Sequence, residues 1–461
     1  MKDYNYNELL AHVKEEYNLT AADISLLEGQ KNIVYIPTNR ITARFEAILK
    51  RDKKGLQTVH PDTDVATELC YIFLDNFKST HKNAENANDI YKAHGYKILY
   101  SVYLGEQLGK RVYPKIINLL LKHRIIVRGR DYITGKPEIN LAPRSNEYKL
   151  QDKYYGIGVE PYTLSTKIAK RLRNKMHNNN MEKLFTSEIG MNSFSMSKYI
   201  TFPDESEVLE MLTKHAKEGT YTNKRNKLLK ILPENHSTNE DAYSRDKYIF
   251  VHDYMNIFIY LRDCFKYPII KDEKSGMRVY DSFNMMPRII RKMIKLNGQS
   301  LVECDFSCLH PNIAQKVFGG SNEEPITHDM VTQTLFKISP DDDNYTQKRQ
   351  EVKIEHLSFF NKTWGQMQQS PLFNYYNKKE PNMMNRIGQY KDEEGHKSTS
   401  KELFTMETEL MTNVIRRTRK EGIDVLYCFD ALYCESMDRD DVVEIMNEEA
   451  AKMKINTKAA I

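Results

Sequence analysis

The chain has 461 residues, 40% of them hydrophobic and 28% charged, which is ordinary globular composition at a length that calls for two or three domains rather than one core. A formal net charge of only +5 gives no whole-chain argument for a nucleic-acid partner, so local basic clusters must carry that case. Six cysteines without CxxC spacing argue against a disulfide scaffold, and no signal core or membrane-length apolar run occurs, so a reduced, cytoplasmic protein is expected.

Residues 1–100 read as a helical N-terminal domain. NELLAHVKEEYN and DVATELCYIFLDNFKST place apolar residues at helical spacing, and neither carries chemistry, so a docking or accessory role is expected here. Residues 101–155 read as a winged-helix-like module. LGKRVYPKIINLLLKHRIIV forms a helix with Ile116, Ile117, Leu119, Leu120 and Leu121 inward, followed by a short strand, a turn at Arg128–Arg130 and a second strand near Glu147–Leu150. Arg128, Arg130, Lys136 and Arg144 would make the wing basic and able to meet phosphates. A packing module used for protein contacts fits the same pattern, and both readings stay open.

Residues 156–246 read as a basic helical connector. Lys167, Lys170, Arg171, Arg173 and Lys175 share one helical stretch; Lys224, Arg225, Lys227 and Lys230 share another. Such clusters suit tracking of a nucleic-acid backbone, and equally suit a solvated helix face. PENHSTNEDAYSRD (233–246) reads as a loop or domain junction.

Residues 247–461 read as one α+β domain with two short buried strands, each carrying an aspartate. In SLVECDF, Leu301, Glu303 and Asp305 face one side of a strand and Val302 and Cys304 the other; a helix is expected from near Pro311. In GIDVLYCFDALYCES, a near-continuous apolar run from Ile423 to Phe429 leads into Asp430, which lies between Phe429 and Ala431. A carboxylate in such a run is costly unless a cation or hydrogen bonds compensate it. Two aspartates on neighbouring strands suit two-metal nucleotidyl transfer, in which paired cations stabilise the attacking and leaving oxygens.

DFSCLHPNI (305–313) resembles motif A of the right-hand palm polymerases in its family B form, Asp-Phe-x-x-Leu-Tyr-Pro-Ser-Ile, with His310 in place of Tyr and Asn312 in place of Ser. Residues 423–435 resemble motif C of family A and phage-type single-subunit RNA polymerases, with Phe429 where those have His. KRQEVKIEHLSFFNKTWGQM (348–367) is similar to the motif B helix. Arg349 and Lys353 fall on one face, and Phe360 and Trp364-Gly365 stand for the aromatic and Tyr-Gly, although Lys353 comes one turn early.

The resemblance covers about residues 275–440. It implies a palm with helical fingers, Mg²⁺ or Mn²⁺ held by Asp305, Phe306 and Asp430, and nucleotide contacts from Arg349, Lys353, His310, Phe360, Arg288 and Arg291, with Arg278 a further candidate. His310, five residues after Asp305, is bulky where phage-type RNA polymerases have Gly, which implies a preference for dNTPs. The implied partners are template, primer and nucleoside triphosphates, with replisome proteins a further class and no membrane.

Glu407, on a mostly apolar helix face in 401–422, reads as solvated, with a supporting place behind the metals or on the primer side as the alternative, and Glu303 and Glu435 are open as a third metal carboxylate. The cysteines flanking the aspartates have CxxxC and Cx₅C spacings and read as core residues rather than zinc ligands. The richness in Lys, Asn, Ile and Tyr points to a phage or mobile element of an AT-rich host. The expected function is therefore a DNA polymerase or primase-polymerase. The alternatives are a single-subunit RNA polymerase or primase, and a non-catalytic winged-helix initiator or replisome subunit.

Overall fold

The structure is a computed structural model describing residues 6–37, 46–78, 96–129, 145–151, 154, 159–232, 247–265, 267–321 and 324–460. Helices and strands mix throughout, an α+β architecture. The chain divides into two compact units that alternate along it. One comprises Leu19–Glu182 and Pro203–Lys266; the other comprises Met1–Asn18, Lys183–Phe202 and Tyr267–Ile461.

The first unit is built on helix α1 (Thr63–Leu74), which is buried from Val65 to Leu74. Asp62 caps it, accepting from the backbone N–H of Asp64 at 2.9 Å and of Val65 at 3.3 Å. Strand β1 (Lys97–Ile98), helix α2 (Ser101–Leu108) and helix α3 (Tyr113–Lys122) follow, then β2 (Ile126–Arg128) and β3 (Glu147–Leu150). The strands make an antiparallel sheet in the order β1-β3-β2, with Val127 opposite Lys149 and Lys97 opposite Tyr148. Pro114 sits in the first turn of α3, where its missing N–H does no harm. Ile116, Ile117, Leu119 and Leu120 are buried as their spacing predicts, whereas Leu121 is only half-buried at the helix margin.

Helix α4 (Lys167–Phe185) starts against a buried carboxylate. Glu68 of α1 accepts from the N–H groups of Ser165 and Thr166 at 2.6 and 2.9 Å. A side chain from another helix thus serves donors at the entrance to α4 that the helix cannot satisfy itself.

The second unit is organised by strand β4 (Gln299–Phe306) and, further on, strands β5 (Leu426–Cys428), β6 (Ala431–Glu435) and β7 (Ala459–Ala460). The sheet runs β5-β6-β4, then Lys295–Leu296 and Ile200–Thr201, with β7 pairing β4 off that path. β4 and β6 are antiparallel over five residue pairs, from Leu301 opposite Glu435 to Asp305 opposite Ala431. Helix α5 (Leu309–Val317) leaves the end of β4. Helices α6 (His328–Phe336) and α7 (Tyr345–Phe359) form an adjacent pair, and the long helix α8 (Ser398–Lys420) packs on α5 and feeds the β5–β6 hairpin.

Candidate active site

Asp305 stands next to last in β4, and Asp430 stands in the two-residue turn between β5 and β6. The segment expected as one strand is a hairpin. Cys428 pairs with Ala431, leaving Phe429 and Asp430 as its tip. Phe429 has φ +62°, a left-handed conformation that glycine adopts freely and an aromatic residue rarely does. The turn brings Asp430 to the end of β4: the Phe306 N–H donates to the Asp430 carbonyl at 3.3 Å, and Asp305 pairs with both Ala431 and Ala460. Asp305 is exposed rather than enclosed, and Asp430 is half-buried, so the two carboxylates border an open surface.

The chain leaves β4 through a sharp turn with Cys308 at φ +51° and enters α5. Asn312, fully buried, braces that turn. Its Nδ2 donates to the carbonyls of Cys308 at 2.9 Å and Ile326 at 3.0 Å, and its Oδ1 accepts from the Ile326 N–H at 2.7 Å. The residue standing where family B polymerases place Ser thus anchors the aspartate-bearing strand end to the loop before α6.

Although the residue keeps an exposed edge, the protein packed around the Asp305 carboxyl, and then the charges of Asp430 and Glu303, push it up to about 8, with Lys353 and Arg288 acting the other way. Asp430 is also raised, by burial and then by Glu407, against His310 and Arg278. Burial is the larger cause at both carboxyls, and neighbouring like charges add to it. Among the described residues no group of three or more His, Cys, Asp and Glu side chains gathers here. Glu303 lies on the Asp305 face but is bonded by Arg288 at 2.7 Å and by the Tyr433 hydroxyl. Glu435 is at the far end of β6, about 15 Å along the strand from Asp430, and accepts from Asn297 at 3.2 Å.

Beside Asp430 lies a cluster that reverses one expectation. Glu407 is fully buried, not solvated. Arg278 Nε donates to its Oε1 at 2.8 Å and Arg278 Nη2 to its Oε2 at 2.5 Å, while His310 Nε2 meets Oε2 at 2.6 Å. The Arg278 guanidinium lies 3.7 Å from the centre of the Phe404 ring. Burial works against the Glu407 charge, but Arg278 and then His310 hold its carboxyl below the usual range. Arg278 is therefore committed to Glu407, while His310 keeps part of its ring at the surface. A charged residue on an otherwise apolar helix face was the sequence signal for this cluster.

The expected motif B helix divides. α7 ends at Phe359, and Thr363 opens a new short helix, Trp364–Gln368, through a capping box with Gln366. Phe360 is a core residue, 5.1 Å from Phe359 between ring centres and beside Tyr376, so it is not available to a nucleotide. Trp364 packs on Gly388 and Phe373. Lys353 is exposed on α7, and its charge is felt at Asp305. Arg349, one turn earlier, is held by Asp329 at 2.8 and 3.1 Å.

Arg288 is exposed beside Glu303. Arg291 is turned into the protein: it reaches Cys428 Sγ, the Tyr433 hydroxyl at 3.3 Å and the Met286 carbonyl at 3.1 Å, and so braces the hairpin instead of facing a substrate. Cys304 and Cys434 are buried neighbours across β4 and β6, Sγ atoms 3.9 Å apart, and both behave as core residues.

The basic residues of the first unit are dispersed. Arg128 ends β2 with its guanidinium over Tyr148 at 5.8 Å. Arg130, Lys136 and Arg144 lie outside the described residues. On α4, Arg171 is exposed and Lys170 half-buried. Arg173 is instead committed inward, donating to the Ile33 carbonyl at 3.0 Å and lying 3.7 Å from Asp75.

No protein-family model matches the chain, and no curated protein matches it. Among solved structures it is similar to the POL domain of Pol1 from M. smegmatis in complex with DNA primer-template and dNTP. That similarity spans 64% of this chain and 72% of that one at 10% identity, with a TM-score of 0.38. A likeness this distant carries no weight for fold or chemistry, which rest here on the residues and their geometry.

Proposed function

We propose that the chain is a template-directed nucleotidyltransferase in which the part of the 247–461 region that lies in the second unit acts as palm and fingers, with Asp305 and Asp430 as the metal-binding carboxylates. The observation that carries this reading is the pairing of the end of β4 with the β5–β6 turn, which sets two carboxylates of raised pKa together at an open surface. Unpaired like charges held this way favour divalent cations, and two acidic side chains fit Mg²⁺ or Mn²⁺, which take further ligands from water and substrate phosphate. When bound, such ions lower the pKa of an attacking hydroxyl and neutralise a triphosphate.

The remaining steps belong to the chain. Lys353 offers an uncommitted ammonium on the Asp305 side, and Arg349 a guanidinium one turn away, to orient the triphosphate. Arg278 and Glu407 hold the His310 ring at the start of α5, where its bulk would stand against the sugar and favour dNTPs. The helix–strand module at 101–155 is read as a winged helix that meets nucleic acid through Arg128 and the segment after it, assisted by Lys170 and Arg171 on α4. A phage or mobile-element DNA polymerase or primase-polymerase is the most specific form of this proposal.

The test is nucleotide incorporation on primed and unprimed templates, with Mg²⁺ or Mn²⁺ and with dNTPs or rNTPs. Synthesis abolished by both Asp305→Ala and Asp430→Ala is expected. His310→Ala is expected to relax the preference for dNTPs. Nucleic-acid binding without synthesis under every condition would instead favour a replication initiator or replisome subunit.

A further inference from the structure

Arg349 and Lys353 share a face of α7 but are in different states. Lys353 is exposed and has no hydrogen-bond or ion-pair partner among the described residues, and its charge reaches Asp305, Cys308 and His328. Arg349 also reaches Cys308 and His328, so both cations lie toward the α6 side of the carboxylate site. Arg349, however, is engaged. Its Nε and Nη2 donate to the two oxygens of Asp329 at 2.8 and 3.1 Å, the side-on geometry in which a guanidinium also grips phosphate.

Asp329 is the fixed member of this pair. It stands in the first turn of α6, where the helix dipole favours a negative charge. The hydroxyl of Tyr345, a buried residue at the start of α7, donates to its Oδ1 at 2.5 Å. Arg349 is the movable member, on a long side chain that is 39% exposed, against 44% for Asp329. A pair this open is weakly held, because water and salt screen it. A triphosphate carries several times the charge of one carboxylate and presents the same oxygen geometry.

We propose that Asp329 is a positioning residue that holds Arg349 as an internal competitor of the triphosphate, releasing it only when a polyphosphate takes the carboxylate's place. This rests on the reading above that Arg349 and Lys353 receive the triphosphate. The exchange keeps the guanidinium ordered and aimed while the site is empty, and it lowers net affinity, which also eases departure of pyrophosphate.

The test is binding of inorganic tripolyphosphate to the full chain, by calorimetry, with and without Mg²⁺. Asp329→Asn, which keeps the shape but not the charge, is expected to tighten binding about two- to five-fold. Tyr345→Phe, which keeps the carboxylate but frees it, is expected to shift affinity the same way by less, and it serves if Asp329→Asn folds poorly. In an Arg349→Gln background, Asp329→Asn is expected to change nothing.

Unchanged or weaker binding in Asp329→Asn would overturn the proposal. So would equal tightening without Arg349, which would mean general loss of negative charge, and so would absence of tripolyphosphate binding by every form. Failure of the polymerase reading is separate: it is read from nucleotide incorporation by the unaltered chain, whereas this result is read from anion binding.

Discussion

Glu407 is enclosed within the second unit, and Arg278 bonds both of its oxygens. The pair joins α8 to the segment before β4 and lies beside Asp430, whose charge state it influences. Removing one member leaves the other charge buried without compensation, which costs about 3–5 kcal/mol. Glu407→Ala is therefore expected to lose that much in denaturant unfolding, and the double variant Arg278→Met/Glu407→Met to lose less than Glu407→Ala alone. The pH dependence follows from the depressed Glu407 carboxyl. Its contribution is complete above the ordinary glutamate value and is lost as pH falls through the lower folded value. Unfolding midpoints measured from pH 6 downward should fall more steeply for the unaltered chain than for Glu407→Gln.

The turn that carries Asp430 is strained by its own residue. Phe429 holds φ +62° while its ring meets Tyr280 at 5.5 Å and Tyr427 at 6.0 Å. Alanine and glycine both delete those contacts, but only glycine relieves the backbone. Phe429→Gly should therefore be more stable than Phe429→Ala by about 1 kcal/mol, the reverse of the usual order of these residues. Equal stabilities in thermal unfolding would mean that the turn relaxes when the ring is removed.

The same turn explains what the sequence did not disclose. Strand β4 was legible because it is half-buried and alternates, with Asp305 at its end. The hairpin was not, because both arms are buried and read as one apolar strand on either side of Asp430, and because Phe429 occupies a position where a glycine or asparagine would have announced a turn. Helix 401–422 was legible from its period, and α8 covers Ser398–Lys420, yet the burial of Glu407 depends on Arg278, far away in sequence. The motif B reading runs past the end of its helix, since α7 stops at Phe359 and Thr363 and Gln366 cap a new helix. Asp329 carried no signal at all, because its role depends on α6 meeting α7.

Lys391 is buried on the helix Pro381–Glu394, and its ammonium donates to the carbonyls of Phe360, Lys362 and His396 at 2.9, 3.0 and 2.7 Å. These carbonyls belong to the turn after α7 and the turn before α8, so one side chain ties together both ends of the segment between them. Methionine fills similar volume with no donor and would leave three acceptors unsatisfied. Lys391→Met should lose about 3 kcal/mol or more in denaturant unfolding, a large effect for a residue remote from the carboxylate pair.

Asp305 and Asp430 give the most direct link between charge and binding. Both carboxyls are raised, Asp305 to about 8. A raised carboxyl favours the folded state while it is protonated, so this contribution is present below the ordinary aspartate value and disappears as pH climbs through the folded value. Without divalent metal, the melting temperature of the unaltered chain should fall between about pH 4 and pH 8 relative to Asp305→Asn, which has no proton to lose. A cation must displace the same proton, so Mn²⁺ affinity should rise with pH by up to about tenfold per unit below pH 8 and level off above it. Asp430→Asn removes one of the charges that, after burial, raise Asp305; the midpoint of the pH dependence should then move to lower pH while the affinity itself drops. Titration calorimetry with Mn²⁺ at several pH values reads both effects at once. An affinity independent of pH in the unaltered chain would mean that the carboxyls are not the groups that receive the metal.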